Sequence, residues 1–350
     1  MRVGIDARLA SRGLGIATAL HGLAPAVSEM ADVIWIGDPT AAPASVEDCI
    51  APPRPFPALD LNPRFVRGAR LDVLHFAANM GWMWRGPVPS VLTIHDMIFM
   101  SSGLRGVASA RQLIGHRYMS LNVRLAVHAA SVVAVPSRAT ASEVERRLRC
   151  SSPARVIPWG LTPPDGPSPK RRRAERDYAL AFAAPSPRKR LDVVLEAWRT
   201  IWPEMGIELW LLGGGDRGSD AGVTDVSRGI RQLGYLGRDE LWDVMSRAFA
   251  LVYPSEQEGF GFPVLEGFAA GTPVLTGLAS ATRELGGNAV LRLDASAPAQ
   301  SIVDGIQRLR HDSELRRGLV EEGRTRAAGY SWSAAAEAYV EAYEAAIRLG

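Results

Sequence analysis

The chain has little of several features that mark common protein classes. Its 350 residues include two cysteines, Cys49 and Cys150, which form no Cys-x-x-Cys pair. That argues against a disulfide framework and against a zinc site. There is no run of about 18 apolar residues free of charge, glycine and proline, so no membrane-spanning helix is expected. No signal-peptide pattern precedes the first predicted strand, and together these absences predict a cytoplasmic-type protein.

Lysine is also scarce. Among 40 basic residues only Lys170 and Lys189 are lysine, and the net charge is +3. So small an excess gives no reason to expect a nucleic-acid partner. Clustered arginines could still contact an anionic membrane surface or an anionic acceptor, so a peripheral membrane contact stays open. Arg105, Arg111, Arg117 and Arg124 are such a group, for which a solvated helix face is the simpler interpretation.

Length and composition predict two globular domains. A chain of 350 residues exceeds what one hydrophobic core usually serves. Apolar residues make up 47% of it and charged residues 22%, which are ordinary globular values. We therefore expect two domains of roughly 150 to 180 residues with a cleft between them.

Short apolar strands alternate with helical segments along the whole chain, which predicts an α/β fold of two facing, Rossmann-like, doubly wound parallel sheets. The strands predicted for the first sheet are 2–7, 33–37, 73–76, 91–95, 131–136 and 156–158, and those for the second include 234–236. A segment rich in proline and arginine, 163–176, is the predicted linker. The N-terminal domain is then 1–162, the C-terminal domain is 177–332, and the last helix is 333–350.

One segment, Ser255 to Gly267, carries two acids eight positions apart on either side of a glycine-rich turn. Pro263 suits the first turn of a helix and Gly271 supplies its end. The first amides of that helix would offer an anion site, so a phosphate fits there. Glu258 and Glu266 could then accept hydrogen bonds from hydroxyl groups at the two ends of a ligand made of a sugar, a diphosphate and a ribose.

A second segment, Pro187-Arg188-Lys189-Arg190, follows a strand and precedes a helix. It therefore places cations at the carboxyl end of a parallel strand, where such sheets bind ligands. Because negative charge builds on a departing diphosphate, preorganised cations there stabilise the transition state. We expect Arg188 and Lys189 to be the main electrostatic catalysts.

His95 and Asp96 end an apolar strand and should emerge at the rim of the first sheet. Two roles are open for His95: it could bond to the donor sugar or its phosphate, or it could orient the acceptor hydroxyl. Asp96 could orient the imidazole or hold the acceptor. His75, at another strand end, is a weaker candidate. Trp82 lies in a loop and could stack on an acceptor, enter a membrane interface or cap the core.

These segments resemble those of the family 4 glycosyltransferases, in the bacterial polysaccharide mannosyltransferase-like branch. The resemblance extends along the chain in motif order: Arg2-Val3-Gly4-Ile5-Asp6 with Gly13-Leu14-Gly15-Ile16, Thr93-Ile94-His95-Asp96, Pro187-Arg188-Lys189, Leu212-Gly213, Leu236-Gly237, the Glu-x7-Glu segment from Glu258 to Glu266, and Tyr330-Ser331-Trp332.

The resemblance implies the GT-B fold, with a final helix that crosses back to the first domain. It assigns the donor sugar to Glu258, the ribose to Glu266 and the diphosphate to Arg188 and Lys189, and it brings His95 close to the reacting sugar. The expected nucleotide-sugar-binding set is completed by backbone positions: Gly13, Gly15, Gly213, Gly259, Phe260, Gly261, Phe262 and Val264.

The expected function is hexose transfer, with retention, from a GDP- or UDP-linked sugar to a hydroxyl acceptor in cell-surface polysaccharide or lipid-linked glycan synthesis. The sequence has no Asp-x-Asp pair to hold a metal on the diphosphate, so no metal and no cofactor are expected. A small natural product as acceptor, a nucleotide-sugar isomerase and a Rossmann-type oxidoreductase stay open as alternatives.

Overall fold

The computed structural model describes residues 1–10, 14–51, 63–101, 110–150, 153–163, 177–184, 186–214 and 225–350. The chain divides into two compact units, Met1–Thr162 with Tyr330–Gly350 and Pro163–Gly329. Each unit is built on one parallel sheet, which confirms the predicted fold class. Apart from Pro163, the predicted linker 163–176 lies outside the described residues.

The first unit holds a seven-stranded sheet in the order β3-β2-β1-β4-β5-β6-β7. All of its neighbouring strands run parallel. Its strands are β1 (Arg2–Asp6), β2 (Asp32–Ile36), β3 (Asp48–Ile50), β4 (Val73–Phe76), β5 (Ser90–Thr93), β6 (Val132–Val135) and β7 (Arg155–Val156). Its helices are α1 (Leu14–Ser28), α2 (Pro63–Gly68), α3 (Ile98–Ser101), α4 (Ala110–Ala129) and α5 (Arg138–Leu148).

The second unit holds a six-stranded parallel sheet in the order β10-β9-β8-β11-β12-β13. Its strands are β8 (Tyr178–Phe182), β9 (Glu208–Leu212), β10 (Ile230–Gly234), β11 (Ala250–Val252), β12 (Val274–Thr276) and β13 (Val290–Arg292). Its helices are α6 (Leu191–Met205), α7 (Arg238–Arg247), α8 (Phe262–Ala270), α9 (Ser280–Gly286), α10 (Pro298–His311) and α11 (Ser313–Ala328).

Two strands differ from the sequence pattern, and both are edge strands. The pattern predicted no strand at β3 and placed one at 234–236, whereas β10 occupies Ile230–Gly234. An edge strand is paired on one side only, so it needs no continuous apolar run. The interior strands β4 and β6 are buried at every residue, and there the apolar run was a sufficient signal.

The last helix, α12 (Trp332–Leu349), belongs to the first unit. It packs on α1 and on β4, β5 and β6. Ser331 caps it by accepting the Ala334 N–H at 3.1 Å. Gly160 packs against the start of α12, where a side chain would not fit. A Cβ at this position would lie 2.3 Å from the Trp332 backbone nitrogen.

Candidate active site

The basic turn of the second unit follows β8 directly. Pro187–Lys189 forms a 3-10 turn, and Arg190, at φ 52°, leads into α6. Proline restricts the first residue of the turn, and a non-glycine residue at positive φ is held there by its surroundings. The turn therefore presents Arg188 and Lys189 at the carboxyl end of a central strand, as the sequence predicted.

Both cations meet Glu258. Lys189 Nζ lies 2.5 Å from Glu258 Oε1, and Arg188 donates to the same oxygen at 3.0 Å. Arg188 also donates to the Gln257 carbonyl at 2.8 Å, and its own carbonyl accepts the Glu256 N–H at 2.9 Å. The structure thus brings together three of the four predicted catalytic residues.

Two further side chains complete this cluster, and sequence reasoning missed both. The Tyr253 hydroxyl donates to Glu258 Oε1 at 2.8 Å and accepts a hydrogen bond from Lys189. The Ser255 hydroxyl donates to the same Oε1 at 2.6 Å. They lie just after β11, so the carboxyl end of a central strand was a usable signal. Four donors therefore converge on one carboxylate oxygen.

The charges of the cluster set its protonation. Burial alone would raise the pKa of the Glu258 carboxyl, but the charges of Lys189 and Arg188 outweigh it and hold that pKa below its usual value. Burial, reinforced by the Glu258 charge, raises the pKa of Tyr253 well above its usual value. The cluster therefore holds an ionised carboxylate and a neutral phenol. Arg190 is engaged elsewhere, by Glu256 and Asp192.

The glycine-rich turn leads into α8 through a backbone conformation that residues with a side chain rarely adopt. Gly261, at φ 114°, caps the helix, and Pro263 follows in its first turn. The Gly261 N–H has no hydrogen-bond partner among the described residues. Gly259 precedes it in the turn. The rings of Phe260 and Phe262 meet edge to face with centroids 5.3 Å apart.

Val264 does not offer its amide to a ligand, so that part of the prediction is wrong. Its N–H donates to the Gly261 carbonyl at 2.9 Å, and its side chain is fully buried. The tight first turn of α8 satisfies this amide within the helix itself, as 3-10 bonds at a helix end commonly do.

Glu266 lies one turn into α8. Burial raises the pKa of its carboxyl to about 7, against the opposing charge of Arg238. The carboxyl makes no hydrogen bond or ion pair with any other described residue. A half-buried acid without a protein partner is suited to accept hydrogen bonds from a ligand.

The predicted glycines are placed differently from one another. Gly213 follows β9 at φ 73°, and its N–H and carbonyl are both bonded within the unit, to Gly234 and Gln232. Gly15 lies in the first turn of α1, where a Cβ would meet open space. Gly13 lies outside the described residues.

His95 belongs to the first unit and follows β5. Its Nε2–H donates to the Ala77 carbonyl at 2.8 Å, and its backbone N–H donates to Asn79 Oδ1 at 2.6 Å. Burial lowers the pKa of His95, although Ala77 and the Asp96 charge oppose that effect. The ring is therefore neutral near pH 7, with the proton on Nε2 and a lone pair on Nδ1. Asn79 is another residue that the sequence analysis missed.

Asp96 has a local structural contact. Its Oδ1 accepts the Ile98 N–H at 3.0 Å at the start of α3, and its carbonyl accepts from Asn79. Trp82 is 4% exposed and packs edge to face on Phe76, within the core of the first unit. The acceptor role for Trp82 is therefore wrong, because a buried indole presents no face for a sugar to stack on.

An aromatic stack links His95 to the last helix. The imidazole stacks on Trp159 with centroids 5.4 Å apart, and Trp159 stacks on Tyr339 of α12 at 5.7 Å. The Tyr339 hydroxyl bonds to Thr93 Oγ1 at 2.8 Å, and that oxygen bonds to His75 Nε2 at 2.7 Å. The candidate histidine is thus held by packing that includes α12.

His75, which bonds to Thr93 in this set of contacts, is buried. His75 Nδ1 lies 2.9 Å from the Tyr343 hydroxyl, also on α12. Burial lowers the pKa of His75 to about 3, with a smaller contribution from His95. His75 is therefore a neutral residue of the interior with both ring nitrogens bonded, and its placement is structural.

Two features are absent from the described residues. They contain no cluster of three or more side chains suited to hold a metal ion. Among them, too, no helix combines the length and the apolarity needed to cross a membrane.

Family models match both halves of the chain. Residues 15–163 match "Glycosyltransferase Family 4" and residues 167–326 match "Glycosyl transferases group 1". Among characterised proteins, the chain is 28% identical over 253 residues to O-antigen chain mannosyltransferase B from Escherichia coli. That match covers 65% of this chain and 64% of the relative. It is 32% identical over 166 residues to D-inositol 3-phosphate glycosyltransferase from Corynebacterium urealyticum, covering 43% of this chain and 39% of the relative.

Solved structures share the fold over nearly the full length. WaaG, a glycosyltransferase involved in lipopolysaccharide biosynthesis, superposes with a TM-score of 0.72 at 14% identity, covering 98% of this chain and 99% of WaaG. HepE from Anabaena, in complex with UDP and glucose, gives a TM-score of 0.71 at 18% identity with the same coverage. With its two parallel-sheet units and both family matches, the chain belongs to the family 4 glycosyltransferases and has the GT-B fold.

Proposed function

We propose that this glycosyltransferase moves a mannose-like or glucose-like hexose from a nucleoside diphosphate sugar to a hydroxyl acceptor, with retention at the anomeric carbon. The observation that carries the proposal is the convergence of Arg188 and Lys189 on Glu258, in the unit whose helix α8 is capped by Gly261. Cations and a helix N-terminus are what a leaving diphosphate needs, because they stabilise the charge that builds on it.

In the proposed reaction, the bond between the anomeric carbon and the phosphate oxygen breaks, and its electron pair stays on the diphosphate. Arg188 and Lys189 stabilise that charge. The acceptor oxygen bonds to the anomeric carbon on the same face, and its proton passes to the departing phosphate oxygen. Because these side chains supply the positive charge, the proposed reaction requires no divalent metal.

Glu258 orients the sugar in this proposal and does not attack it. Its Oε1 accepts four hydrogen bonds, from Arg188, Lys189, Tyr253 and Ser255. Each of these bonds stabilises the lone pairs that a nucleophile would have to donate. A carboxylate that already accepts these bonds is better suited to accept a hydrogen bond from a sugar hydroxyl than to act as a nucleophile.

Glu266 is the proposed ribose ligand, because its carboxyl has no protein partner among the described residues and can accept two hydroxyl groups. His95 is the proposed polar contact to the reacting sugar through Nδ1, since Nε2 already donates to Ala77. The proposed donor is a GDP- or UDP-linked hexose; one structural neighbour was solved with UDP and glucose.

The proposed acceptor is a growing cell-surface polysaccharide or its lipid-linked precursor. The support is the matched relative that is named an O-antigen chain mannosyltransferase, of which this chain spans 64%. A lipid-linked acceptor would bring the enzyme to the inner face of the cell membrane. No specific observation favours a small natural product as acceptor.

Thermal-shift screening against GDP- and UDP-linked hexoses, followed by transfer assays with the stabilising donor, tests this function. A ligand that binds only the folded protein raises the unfolding temperature. We expect one donor to stabilise the protein, acceptor-dependent release of the nucleoside diphosphate, and unchanged activity in chelator. Product formed without acceptor would instead indicate an isomerase, and stabilisation by NAD alone would indicate an oxidoreductase.

A variant with a matched control makes the transfer assay specific. Glu258→Ala should lower turnover by about 10², because the sugar loses its orienting contact. Glu256→Ala removes a neighbouring acid that pairs with Arg190 instead, and it should keep near-normal turnover. Equal turnover in the two variants would remove Glu258 from the active site.

A further inference from the structure

The order of the strands reverses once in each sheet. In the second sheet, β8, β9 and β10 proceed toward one edge, and β11 returns to pair with β8. The cluster of Arg188, Lys189 and Glu258 follows those two strands. In the first sheet the reversal lies between β1 and β4, which pair from Val3 to Asp6. Because parallel sheets bind ligands beyond the carboxyl ends of strands at such a reversal, the ends of β1 and β4 form a second candidate site.

An ion pair with little exposure occupies this position in the first unit. Asp6 is the last residue of β1, and Arg8 reaches back to it: Nε lies 2.8 Å from Oδ1, and Nη2 lies 2.8 Å from Oδ2. The Arg8 side chain is 8% exposed and the Asp6 side chain 12%. Such a pair seldom adds to stability, because the loss of hydration of both charges offsets their attraction. Its position at the strand reversal therefore points to a ligand.

The hydroxyl group of Tyr118, on α4, is buried and has no hydrogen-bond partner in the described parts of the chain. Burial raises the pKa of this tyrosine, and nearby Asn122 and the charge of Arg8 oppose that effect. The other such atom among the described residues is Arg2 Nε, which still lies 3.4 Å from the Asp32 carboxylate. A buried hydroxyl without a partner destabilises the folded protein, so its presence beside an ion pair indicates a function.

Asn122 fixes the loop after β4 to the same helix. Its Oδ1 accepts the Gly81 N–H at 3.1 Å, and its Nδ2 donates to the Gly81 carbonyl at 3.0 Å. The Asn122 side chain is buried. Tyr118 lies one turn earlier in α4. The tyrosine is therefore held at the edge of the sheet where β1 and β4 end.

We propose that Asp6, Arg8 and Tyr118 form a site for an uncharged sugar residue of the acceptor. The site depends on the hexose transfer proposed above and specifies the chemistry of its acceptor. Asp6 balances the charge of Arg8, so the pair has no excess positive charge for a phosphate group. A carboxylate and a guanidinium side by side instead accept hydrogen bonds from sugar hydroxyl groups and donate hydrogen bonds to them.

Tyr118 is a positioning residue in this site. An acceptor hydroxyl that donates to Asp6 replaces one of the two side-chain bonds from Arg8. The released N–H of Arg8 then donates to the Tyr118 hydroxyl, which has no partner in the protein without ligand. Acceptor binding thus satisfies a buried polar group, and this gain favours the bound state.

Transfer assays with two kinds of acceptor test the proposal, with the donor that stabilises the protein. The probes are octyl glycosides of mannose, glucose and galactose, which are uncharged, and farnesyl phosphate, which has no sugar. We expect transfer to a glycoside. Tyr118→Phe should raise the KM for that glycoside at least about fivefold, with the donor KM unchanged and kcat changed less. Arg8→Lys should raise the same KM further, because lysine lacks the planar fork.

Two matched controls separate an acceptor role from a structural one. Tyr178→Phe removes a hydroxyl that donates to the Val244 carbonyl at 2.7 Å, so it should lower the unfolding temperature and leave the acceptor KM unchanged. Tyr118→Phe should keep or raise the unfolding temperature, because its hydroxyl has no bond to lose. Arg147→Lys, at an arginine that pairs with Glu143 on α5, should keep the parent acceptor KM.

Several results would overturn the proposal. They are an unchanged acceptor KM in Tyr118→Phe and Arg8→Lys, a lower unfolding temperature in Tyr118→Phe, and no transfer to any of the glycosides, with or without transfer to farnesyl phosphate. The thermal shift by the donor needs no acceptor, so it distinguishes the two proposals. Absence of that shift in the parent protein counts against hexose transfer itself, whereas a shift without glycoside transfer counts against the sugar site alone.

Discussion

Lys189 and Glu258 form a partly buried ion pair, with 2.5 Å between Nζ and Oε1, although 69 residues separate them in the chain. Arg188 joins the same oxygen. The cations proposed to bind a diphosphate therefore already hold an anion that belongs to the protein. Donor binding and this internal pairing must compete for the same positive charge.

That competition gives an unusual expectation for Glu258→Gln. Neutralising the carboxylate frees Lys189 and Arg188, so affinity for the nucleoside diphosphate should rise, by roughly tenfold if the internal pair costs about 1.4 kcal/mol of binding free energy. Hexose transfer should fall at the same time, because the orienting carboxylate is lost. Calorimetric titration and a transfer assay measure the two effects.

The control for this variant is Glu256→Gln. Glu256 pairs with Arg190 and not with Lys189, so its neutralisation should leave nucleotide affinity unchanged. Weaker nucleotide binding by Glu258→Gln than by the parent protein would show that Glu258 and the diphosphate do not compete.

Glu266 predicts a pH dependence of nucleotide binding. Its carboxyl has a pKa of about 7 in the protein without ligand, and a ribose would bond to the ionised form. Affinity should therefore fall as the pH drops below about 7 and level off above it, with proton release on binding near neutrality. Calorimetry in buffers of different ionisation enthalpy measures the release. In Glu266→Gln, proton release should disappear; its persistence would assign the titration to another group.

His75 predicts a loss of stability in acid. Unfolded histidine binds a proton near pH 6.5, whereas buried His75 stays neutral down to about pH 3. The unfolded state therefore binds more protons in this window, and the free energy of unfolding should fall by ~1.4 kcal/mol for each pH unit below 6.5. Hydrogen exchange of the α12 amides, measured from pH 7 to pH 4.5 with correction for intrinsic rates, reports this opening.

His75→Gln should reduce protection of α12 at pH 7, since the bonds to Thr93 and Tyr343 are weakened, and it should flatten the pH dependence. The control is His128→Gln on the exposed side of α4. An unchanged slope in His75→Gln would show that another group causes the acid sensitivity.

Trp159 is expected to influence the pKa and the position of the His95 ring. The indole covers the imidazole and contributes to the burial that lowers its pKa. Trp159→Leu should raise the His95 pKa toward 6.5 and lower turnover about tenfold through misplacement of the ring. Trp159→Phe should change the His95 pKa and the turnover less, because phenylalanine keeps an aromatic face against the imidazole. The pKa is read from an NMR titration of the ring protons, with Trp84→Leu, at an exposed tryptophan, as the control. Identical titrations in all three variants would contradict this role.

The features that could be predicted from the sequence are those that depend on local patterns of residues. Buried strands such as β4 and β6 are continuous apolar runs, and Pro263 with Gly271 marks the ends of α8 correctly. The basic turn and Glu258 were found because each is a short motif at the end of a strand. The edge strands β3 and β10 were missed or misplaced because a strand paired on one side carries a weaker apolar signal.

Contacts between distant segments could not be read from local patterns. Arg188 and Lys189 bond to Glu258 only because β11 lies beside β8 in the folded sheet. Trp159 stacks on His95 and also on Tyr339 of α12, which lies 180 residues further along the chain. The two errors involve near neighbours in the chain instead. Trp82 packs on Phe76 in the core, and the Val264 N–H donates to the Gly261 carbonyl; residue types alone reveal neither contact.

The most direct test of the account compares binding of a nucleoside diphosphate with binding of the same nucleoside lacking phosphate, in the parent protein and in Lys189→Met. Arg190→Met is the control, because Arg190 is already paired with Glu256 and Asp192. If the basic turn holds the diphosphate, Lys189→Met will weaken nucleoside diphosphate binding at least about tenfold and leave nucleoside binding unchanged. Equal nucleoside diphosphate affinity in the parent protein and Lys189→Met would contradict the account.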